Sequence, residues 1–201
     1  MNQTRLAIII PAYKCDFLQE ALSSIKAQTN KDFTLYVGDD CSPYNIYDIV
    51  CRFESSLDIV YCRFDNNLGG HDLVAQWERC IAMSQKEEYI WLFSDDDVME
   101  PNCVEEFYKS LEQTNNSYNL YHFDVNIIGE DSKLIKKCPS FSEVESAWSY
   151  YSTKVAGKHQ SFVVEFIFKR VVYEHCGGFV NFDLAWGSDK ATWTQIGRAH
   201  V

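Results

Sequence analysis

Three consecutive aspartates, Asp95, Asp96 and Asp97, come directly after an apolar run at residues 89–93. Three carboxylates in one short turn repel each other, and a divalent cation relieves that repulsion. Oxygen ligands suit Mg²⁺ or Mn²⁺, and magnesium sites combine one or two carboxylates with phosphate oxygens of the substrate. The same turn could instead be solvated, with Asp97 stabilising the start of the next helix. The sequence therefore indicates either a metal-diphosphate site or an acidic helix start.

A second pair of carboxylates, Asp39 and Asp40, follows the apolar run at residues 33–38. One of these aspartates could accept a hydrogen bond from an N–H group of a nucleobase. Alternatively, the pair could cap the next helix through Ser42. Taken alone, the pair does not decide between the two roles.

The elements that must position these acids alternate between strand and helix patterns. Apolar runs predict strands at residues 6–10, 33–38, 58–64 and 89–93, and helical periodicity follows each of them. Asp16 is expected to cap the first helix. The alternation predicts an α/β fold with a mostly parallel central sheet and helices on both faces. Ligands of such sheets bind at the carboxyl ends of the strands, where both acidic clusters fall.

The alternation of strand and helix patterns is less regular in the last part of the chain. We expect a strand at residues 119–128, a turn and loop at 129–142, a short aromatic helix at 143–151, a strand at 161–169, a sharp turn at 176–179 and a helix at 189–196. A C-terminal portion could be missing, because the chain ends soon after the last of these helices.

Length and composition narrow the class of protein. With 201 residues, 46% of them apolar, the chain can bury one substantial core, so we predict a single domain over residues 1–201. The formal net charge of −11 argues against nucleic-acid binding and against docking on anionic lipid. No window resembles a membrane-spanning helix or a signal peptide. The eight cysteines form no C-x-x-C pair, which favours reduced thiols over a zinc or disulfide framework.

Six short motifs occur in a fixed order. They are I-I-I-P-A-Y at residues 8–13, V-G-D-D-C-S at 37–42, D-N-N-L-G-G at 65–70, W-L-F-S-D-D-D-V-M-E-P at 91–101, C-G-G-F at 176–179 and W-G-S-D at 186–189. In that order and spacing they resemble the family 2 glycosyltransferases, which are inverting enzymes with the Rossmann-like GT-A fold. The resemblance covers essentially the whole chain, and its specificity comes from the ordered set rather than from any one motif.

The resemblance implies two functional halves. Residues from about 1 to 115 would bind the nucleotide-sugar, and residues from about 116 to 201 would face the acceptor. The family's proline motif after the first strand lines the nucleotide pocket, and it corresponds here to Pro11, Ala12 and Tyr13.

Other nucleotide contacts are implied in the same way. The family's base-reading aspartate corresponds to Asp39, and its asparagine-glycine loop corresponds to Asn67 and Gly69. Many members carry an arginine seven residues after the asparagine, where this chain has Val74. Another base or phosphate contact must therefore come from elsewhere. The candidates are Lys154, Lys158 and His159.

The family's acidic motif usually reads D-x-D-D, with a proline four residues after the last acid. Counting back from Pro101 makes Asp97 the last acid and Asp96 the metal-binding residue. Ser94 replaces the usual first aspartate. The resemblance therefore implies that Asp95 contacts the ribose or bridges to the metal, which would be Mn²⁺ or Mg²⁺.

The family's catalytic base belongs to an acid pair at a helix start, about ten residues past the G-G-F turn. The pair reads Ser188-Asp189 here, so Asp189 is the candidate base. A carboxylate can take the proton of an acceptor hydroxyl as the new bond forms. Aromatic rings stack on the apolar faces of sugars. Of the aromatic residues in this half, Trp186 is the expected acceptor contact because it lies close to Asp189.

These observations predict a metal-dependent inverting glycosyltransferase. The expected donor is a UDP-sugar, and the expected acceptor is a glycan or lipid-linked molecule of surface polysaccharide synthesis. The expected location is the cytoplasm, at most in peripheral contact with the inner face of the membrane. Two alternatives stay open. A nucleotidyltransferase of related topology would need a basic, glycine-rich loop after the first strand, and a non-catalytic nucleotide-sugar or cation-binding module would account for the departures at Ser94, Val74 and Ser188.

Overall fold

The computed structural model describes residues 4–84, 86–157 and 160–198. Its strands are β1 (Leu6–Ala12), β2 (Phe33–Asp39), β3 (Ile59–Arg63), β4 (Tyr89–Leu92), β5 (Leu120–His122), β6 (Asn126–Ile128), β7 (Leu134–Lys137) and β8 (Phe166–Lys169). Its helices are α1 (Leu18–Lys26), α2 (Ile46–Val50), α3 (Leu73–Ile81), α4 (Cys103–Gln113), α5 (Ala147–Val155), α6 (Arg170–His175) and α7 (Ser188–Arg198). Short 3₁₀ turns cover Val163–Glu165 and Asp183–Ala185.

The central sheet has six strands in the order β3-β2-β1-β4-β8-β5. Strands β1 to β4 run parallel, and β8 runs antiparallel to both β4 and β5. The prediction of a mostly parallel sheet in an α/β fold is therefore confirmed. Because β1, β2 and β4 run parallel, their carboxyl ends lie at one edge of the sheet. A binding crevice is expected at that edge beside β1, where the strand order switches direction.

Helices cover both faces of the sheet because β1 is apolar on both sides. Leu6, Ile8 and Ile10 pack with buried residues of α1, α2 and α4. Ala7 and Ile9 face the other way and pack with buried residues of α3, α6 and α7. This alternation is the two-residue period of a strand, and burial on both faces explains the unbroken apolar run.

No helix in the described part of the chain is long and apolar enough to span a bilayer.

Two predictions in the first half are corrected. Strand β1 continues through Pro11 to Ala12, because β4 pairs only as far as Ile9 and Leu92 and leaves the proline with a paired strand on one side only. The predicted cap of the first helix is wrong. Helix α1 begins at Leu18, its N-cap residue is Phe17 and no side chain caps it, so Asp16 does not play that role.

The predicted strand at residues 119–128 is also wrong. It divides into β5, which pairs with β8, and β6, which pairs with β7 in a separate two-stranded hairpin. Strand β7 lies in the predicted loop, and all four of its residues are exposed. An exposed strand buries no apolar face, so its sequence carries little of the alternation that identifies strands.

The later elements agree more closely with expectation. Residues 161–169 form a 3₁₀ turn and then β8, rather than one strand. Helix α5 starts later than predicted, where the side chain of Ser146 accepts a hydrogen bond from the backbone N–H of Ser149. The helix predicted at residues 189–196 is confirmed as α7.

Candidate active site

The acidic turn after β4 is tied to the loop after β1. One carboxylate oxygen of Asp95, Oδ2, accepts hydrogen bonds from the backbone N–H groups of Tyr13 (2.9 Å) and Lys14 (3.0 Å). Burial raises the pKa of Asp95, and these two N–H groups oppose that rise. The structure thus joins two of the predicted nucleotide-binding segments. Within the first, Ala12 is buried, Pro11 is half-buried and Tyr13 is 42% exposed.

The other two acids of this turn differ in environment. Asp96 is exposed, and its Oδ1 accepts a hydrogen bond from the hydroxyl of Ser94. Asp97 is half-buried, and burial, reinforced by the charges of Asp96 and Asp95, raises its pKa to about 6. Burial and mutual repulsion both disfavour ionisation of Asp95 and Asp97, and a bound cation would relieve both effects.

The side-chain oxygen atoms of this turn determine which kind of metal site it could form. Across the described ranges, no group of three or more His, Cys, Asp or Glu side chains converges as a complete cation cage. The turn does offer hard oxygen ligands, with the carboxylate of Asp96 exposed to solvent. These residues fit a divalent cation that takes its remaining ligands from a diphosphate and water. They do not fit a site built by protein alone.

Asp39, at the end of β2, is fully buried and surrounded by donors. Its Oδ1 accepts from the backbone N–H of Ser42 (2.8 Å). Its Oδ2 accepts from the hydroxyl of Tyr61 (2.7 Å) and from Nη1 of Arg63 (2.6 Å). The side chain of Asp39 therefore lies behind residues of β3 and has no surface open to solvent.

Asp40 orders the asparagine-glycine loop. It is nearly buried, and its carboxylate accepts from the backbone N–H groups of Leu68 (2.7 Å) and Gly69 (2.8 Å) and from Nδ2 of Asn67 (2.9 Å). It also forms an ion pair with Arg79. A Cβ atom on Gly69 would lie 2.7 Å from the Asp40 carboxylate, so only glycine fits at this position. Asp40 is thus a structural anchor of the loop.

The position of the missing family arginine, Val74, is buried in α3. Arg79 on the same helix does not replace it directly, because its guanidinium is bound to Asp40 and lies 4.0 Å from the centroid of the Phe64 ring. Of the candidates from sequence, Lys154 lies over the rings of Phe141 and Tyr150, and burial lowers its pKa. Lys158 and His159 lie outside the described residues.

Asp189 lies in the first turn of α7, where it is half-buried. Burial raises its pKa, while the neighbouring Lys190 and the more distant Lys154 oppose that rise. Ser188, just before it, is fully buried and accepts a hydrogen bond through Oγ from the backbone N–H of Phe182 (3.1 Å). Within the described residues, no hydrogen bond or ion pair joins Asp189 to the acidic turn, so the two are placed by separate elements.

Helix α3 links the nucleotide-side loop to the G-G-F turn that leads to Asp189. Oε1 of Glu78 accepts from the backbone N–H of Phe179 (2.6 Å), and its Oε2 accepts from the hydroxyl of Tyr173. The ring of Trp77 packs on that of Phe179, with centroids 5.3 Å apart. Gly178 has a φ of +90°, and a Cβ there would lie 2.6 Å from Oε1 of Glu78.

The aromatic residues of the second half divide into two groups. Tyr150 and Trp193 are buried in the core behind β8. Trp148, Tyr151 and Trp186 are exposed, and Trp186 is 82% exposed just before α7. The predicted acceptor contact is therefore on the surface and next to Asp189 in sequence.

Sequence reasoning missed several residues that build this site. They are Tyr61 and Arg63 behind Asp39, and Glu78 beneath the G-G-F turn. A further carboxylate that it missed, Glu165, is 1% exposed beside β8. Burial raises the pKa of Glu165 to about 7. A charged residue inside an otherwise apolar stretch was the available signal for Glu165, whereas the partners of Asp39 carry no local signal.

Comparison with known proteins agrees with this geometry. The model of the family described as "Glycosyl transferase family 2" matches residues 7–171. An uncharacterized glycosyltransferase of Haemophilus influenzae is 28% identical over 118 residues, which are 58% of this chain and 38% of that protein. The chain therefore spans well under two thirds of the length of this relative.

Solved structures show the same fold at low identity. The crystal structure of S. aureus TarS 1–349 has a TM-score of 0.70 at 15% identity and covers 96% of this chain and 55% of that one. The mannosyltransferase PcManGT from Pyrobaculum calidifontis, solved with GDP-Man and Mn²⁺, has a TM-score of 0.66 at 17% identity and covers 96% and 51%. TarS 1–349 has also been solved with UDP-GlcNAc. The chain thus has the GT-A fold that its motifs predicted.

Proposed function

The chain belongs to glycosyl transferase family 2, and from that premise we propose that it transfers a sugar from a nucleotide-sugar donor to a hydroxyl group of an acceptor, with inversion of the anomeric centre. One observation carries the proposal. Asp95 accepts hydrogen bonds from the loop after β1, so the predicted nucleotide pocket and the acidic turn lie side by side at this edge of the sheet. A diphosphate between a ribose and a sugar would span that edge.

The donor would lie across the carboxyl ends of β1, β2 and β4. Pro11, Ala12 and Tyr13 would line the nucleotide pocket, and the loop with Asn67 and Gly69 would close its side. Asp95 would meet the ribose or bridge to the metal. The neighbours solved with UDP-GlcNAc and GDP-Man support a nucleotide-sugar of this class, and a UDP-sugar stays the expected donor.

The acidic turn would hold Mn²⁺ or Mg²⁺ through Asp96, with Asp95 as a second contact. The chemistry supplied by the bound cation is neutralisation of the charge that develops on the departing diphosphate. The raised pKa of Asp97 is compatible with this assignment, because burial and, to a smaller extent, the charges of Asp96 and Asp95 disfavour its ionised form until a cation binds. The neighbour solved with Mn²⁺ supports it.

Asp189 would act as the general base. The acceptor oxygen attacks the anomeric carbon of the donor, the bond from that carbon to the phosphate oxygen breaks, and the acceptor proton passes to Asp189. Attack from the face opposite the leaving group inverts the configuration. A carboxylate with a raised pKa is a stronger proton acceptor than an ordinary aspartate, which suits this role.

The acceptor would approach from the side of α7. Exposed aromatic rings near Asp189, chiefly Trp186, support a sugar-containing acceptor because rings stack on the C–H faces of sugars. A glycan or lipid-linked acceptor of surface polysaccharide synthesis fits that chemistry. Such a reaction would take place in the cytoplasm or at the inner face of the membrane.

A thermal-shift screen tests the donor class. UDP, GDP, CDP, ADP and their sugar conjugates are each added with Mn²⁺ and with EDTA. A ligand that binds the folded state raises the melting temperature by mass action, so we expect a rise with at least one nucleoside diphosphate that is larger in Mn²⁺. No rise with any nucleotide would contradict the proposed function.

A further inference from the structure

Arg63, the last residue of β3, covers the carboxylate that is expected to read the nucleobase. The side chain of Asp39 is 0% exposed, whereas that of Arg63 is 46% exposed. The carboxylate already accepts three hydrogen bonds, from Ser42, Tyr61 and Arg63. A base entering this edge of the sheet therefore meets the guanidinium before it meets the aspartate.

The guanidinium is held from two sides. Its Nη1 donates to Oδ2 of Asp39 (2.6 Å), and its Nη2 donates to the backbone oxygen of Ser42 (2.8 Å). The hydroxyl of Ser42 in turn donates to the backbone oxygen of Tyr13 (2.5 Å). These contacts place Arg63 beside the loop after β1, which is the predicted wall of the nucleotide pocket.

The chemistry of the exposed face of Arg63 differs from that of a carboxylate. A guanidinium carries five N–H donors in a rigid plane, and the two contacts just described use two of them. Donors fixed in a plane complement the carbonyl oxygens of uracil or the O6 and N7 atoms of guanine. Cytosine offers its exocyclic amino group, itself a donor, at the position where uracil has the O4 acceptor, so it does not complement the fork at that edge.

We propose that Arg63 makes the direct contact with the base of the nucleotide-sugar, and that Asp39 is a positioning residue that holds Arg63 in place. This inference rests on the proposed function, because it assigns a role within the same nucleotide site. It makes this chain selective for bases that present a carbonyl oxygen, O4 of uracil or O6 of guanine, where cytosine presents an amino group. It also supplies a base contact that the buried Val74 position cannot provide.

A rival arrangement uses the same residues differently. Arg63 could swing away when nucleotide binds and expose Asp39 to a base N–H group. Removing the arginine would then free the carboxylate and strengthen binding, whereas removing a base-reading arginine weakens it. The sign of the change in affinity therefore separates the two.

The experiment measures dissociation constants of UDP, GDP and CDP by calorimetry with Mn²⁺ present. The variants are Arg63→Ala, Arg63→Lys and the control Arg52→Ala, which removes an equal charge from an exposed arginine. Arg63→Lys keeps a cation beside Asp39 and protects folding, but an ammonium lacks the planar fork. Melting temperatures show whether each variant is folded.

We expect the wild-type protein to bind UDP or GDP more tightly than CDP. Both Arg63 variants should weaken the preferred nucleotide by about 10-fold or more, the effect of one lost hydrogen bond from a charged group, with CDP changed much less. Arg52→Ala should leave all three constants unchanged. Tighter binding by Arg63→Ala, an equal loss for every nucleotide, or no change would overturn the inference while leaving the proposed function in place. A wild-type protein that binds no nucleotide would contradict both.

Discussion

Asp189 and Glu165 are carboxylates whose environments raise their pKa by burial. A base must be ionised to accept a proton, so transfer should decline as the pH falls through the raised pKa of Asp189. Glu165 is not among the predicted substrate contacts, and within the described residues its Oε2 has no hydrogen-bond partner. At the scale of single residues, the same physical cause would thus favour proton transfer at Asp189 and lower stability at Glu165 once that carboxylate is ionised.

Replacing Asp189 tests the catalytic assignment. Asp189→Asn keeps the size of the side chain but cannot accept the proton, so transfer should fall by about 10²- to 10⁴-fold, the usual contribution of a general base. Donor affinity should stay nearly unchanged. Single-turnover transfer at saturating donor measures the effect. The control is Asp183→Asn, which alters an exposed aspartate shortly before α7 and should retain activity. Near-wild-type transfer by Asp189→Asn would place the base elsewhere.

Glu165 predicts a pH dependence of stability. Its folded pKa of about 7 lies above the ordinary value of 4.5, so its favourable contribution is complete below about pH 4.5 and is lost as the pH rises through 7. Glu165→Gln should remove that loss and make the protein more stable at pH 8 than the wild type, by about 2 kcal/mol.

Urea unfolding at pH 5 and pH 8 gives the two free energies for each protein. Glu143→Gln is the matched control, because it makes the same replacement at an exposed position. Equal pH dependence in the Glu165→Gln variant and the wild type would refute the raised pKa.

The sequence singled out the acids of the candidate site but not what each one contacts. Asp39 and Asp40 stand out because they follow a buried strand. The partners of Asp39 lie 22 and 24 residues away on β3, where they read as ordinary strand residues. Such pairings depend on strand order, which no local spacing encodes. For the same reason, the sequence did not show that Asp40 orders the asparagine-glycine loop, whose residues lie 28 and 29 positions further along the chain.

Elements with a buried face were predictable, and exposed ones were not. Strands β1 to β4 follow apolar runs because helices cover both sides of the sheet. Strand β7 has no buried face to mark it, and β6 was merged with β5 into one predicted strand. The start of α1 was misplaced because Asp16 has the residue type of a cap but makes no capping hydrogen bond.

Helix α3 connects the asparagine-glycine loop with the G-G-F turn. Its first residues follow the asparagine-glycine loop, and Glu78 near its end holds the G-G-F turn. Gly178→Ala should push a methyl group against Glu78 and loosen this connection. Gly177→Ala is a close control, since it has a similar φ of +83° but nothing within 4 Å of the added atom.

Both substitutions strain a left-handed residue, which costs about 1 kcal/mol. The contact with Glu78 should make Gly178→Ala less stable than Gly177→Ala by a further 1–3 kcal/mol, roughly the cost of overpacking. Chemical denaturation of the two variants measures the difference. Equal free energies of unfolding for the two variants would show that the close approach of Gly178 to Glu78 does not contribute to stability.

At the scale of the whole molecule, charge sets the main requirement for binding a diphosphate. The chain carries a formal net charge of −11, and three of its aspartates lie in one turn of the predicted site. A doubly or triply charged phosphate group would be repelled by such a surface unless a cation intervened. The acidic composition and the acidic turn therefore point to the same dependence on a divalent ion.

The most direct test is a calorimetric titration of UDP into the wild-type protein, Asp96→Asn and Asp32→Asn, each in Mn²⁺ and in EDTA. Asp32 is an exposed aspartate that precedes β2, at the opposite edge of the sheet, and serves as the matched control. We predict that Mn²⁺ tightens binding of UDP to the wild type and to Asp32→Asn by at least about 10-fold, a gain of 1.4 kcal/mol, and that Asp96→Asn loses this gain. Equal affinity for UDP in Mn²⁺ and EDTA, or an unaltered metal effect in Asp96→Asn, would contradict a metal-assisted nucleotide-sugar site at this edge of the sheet.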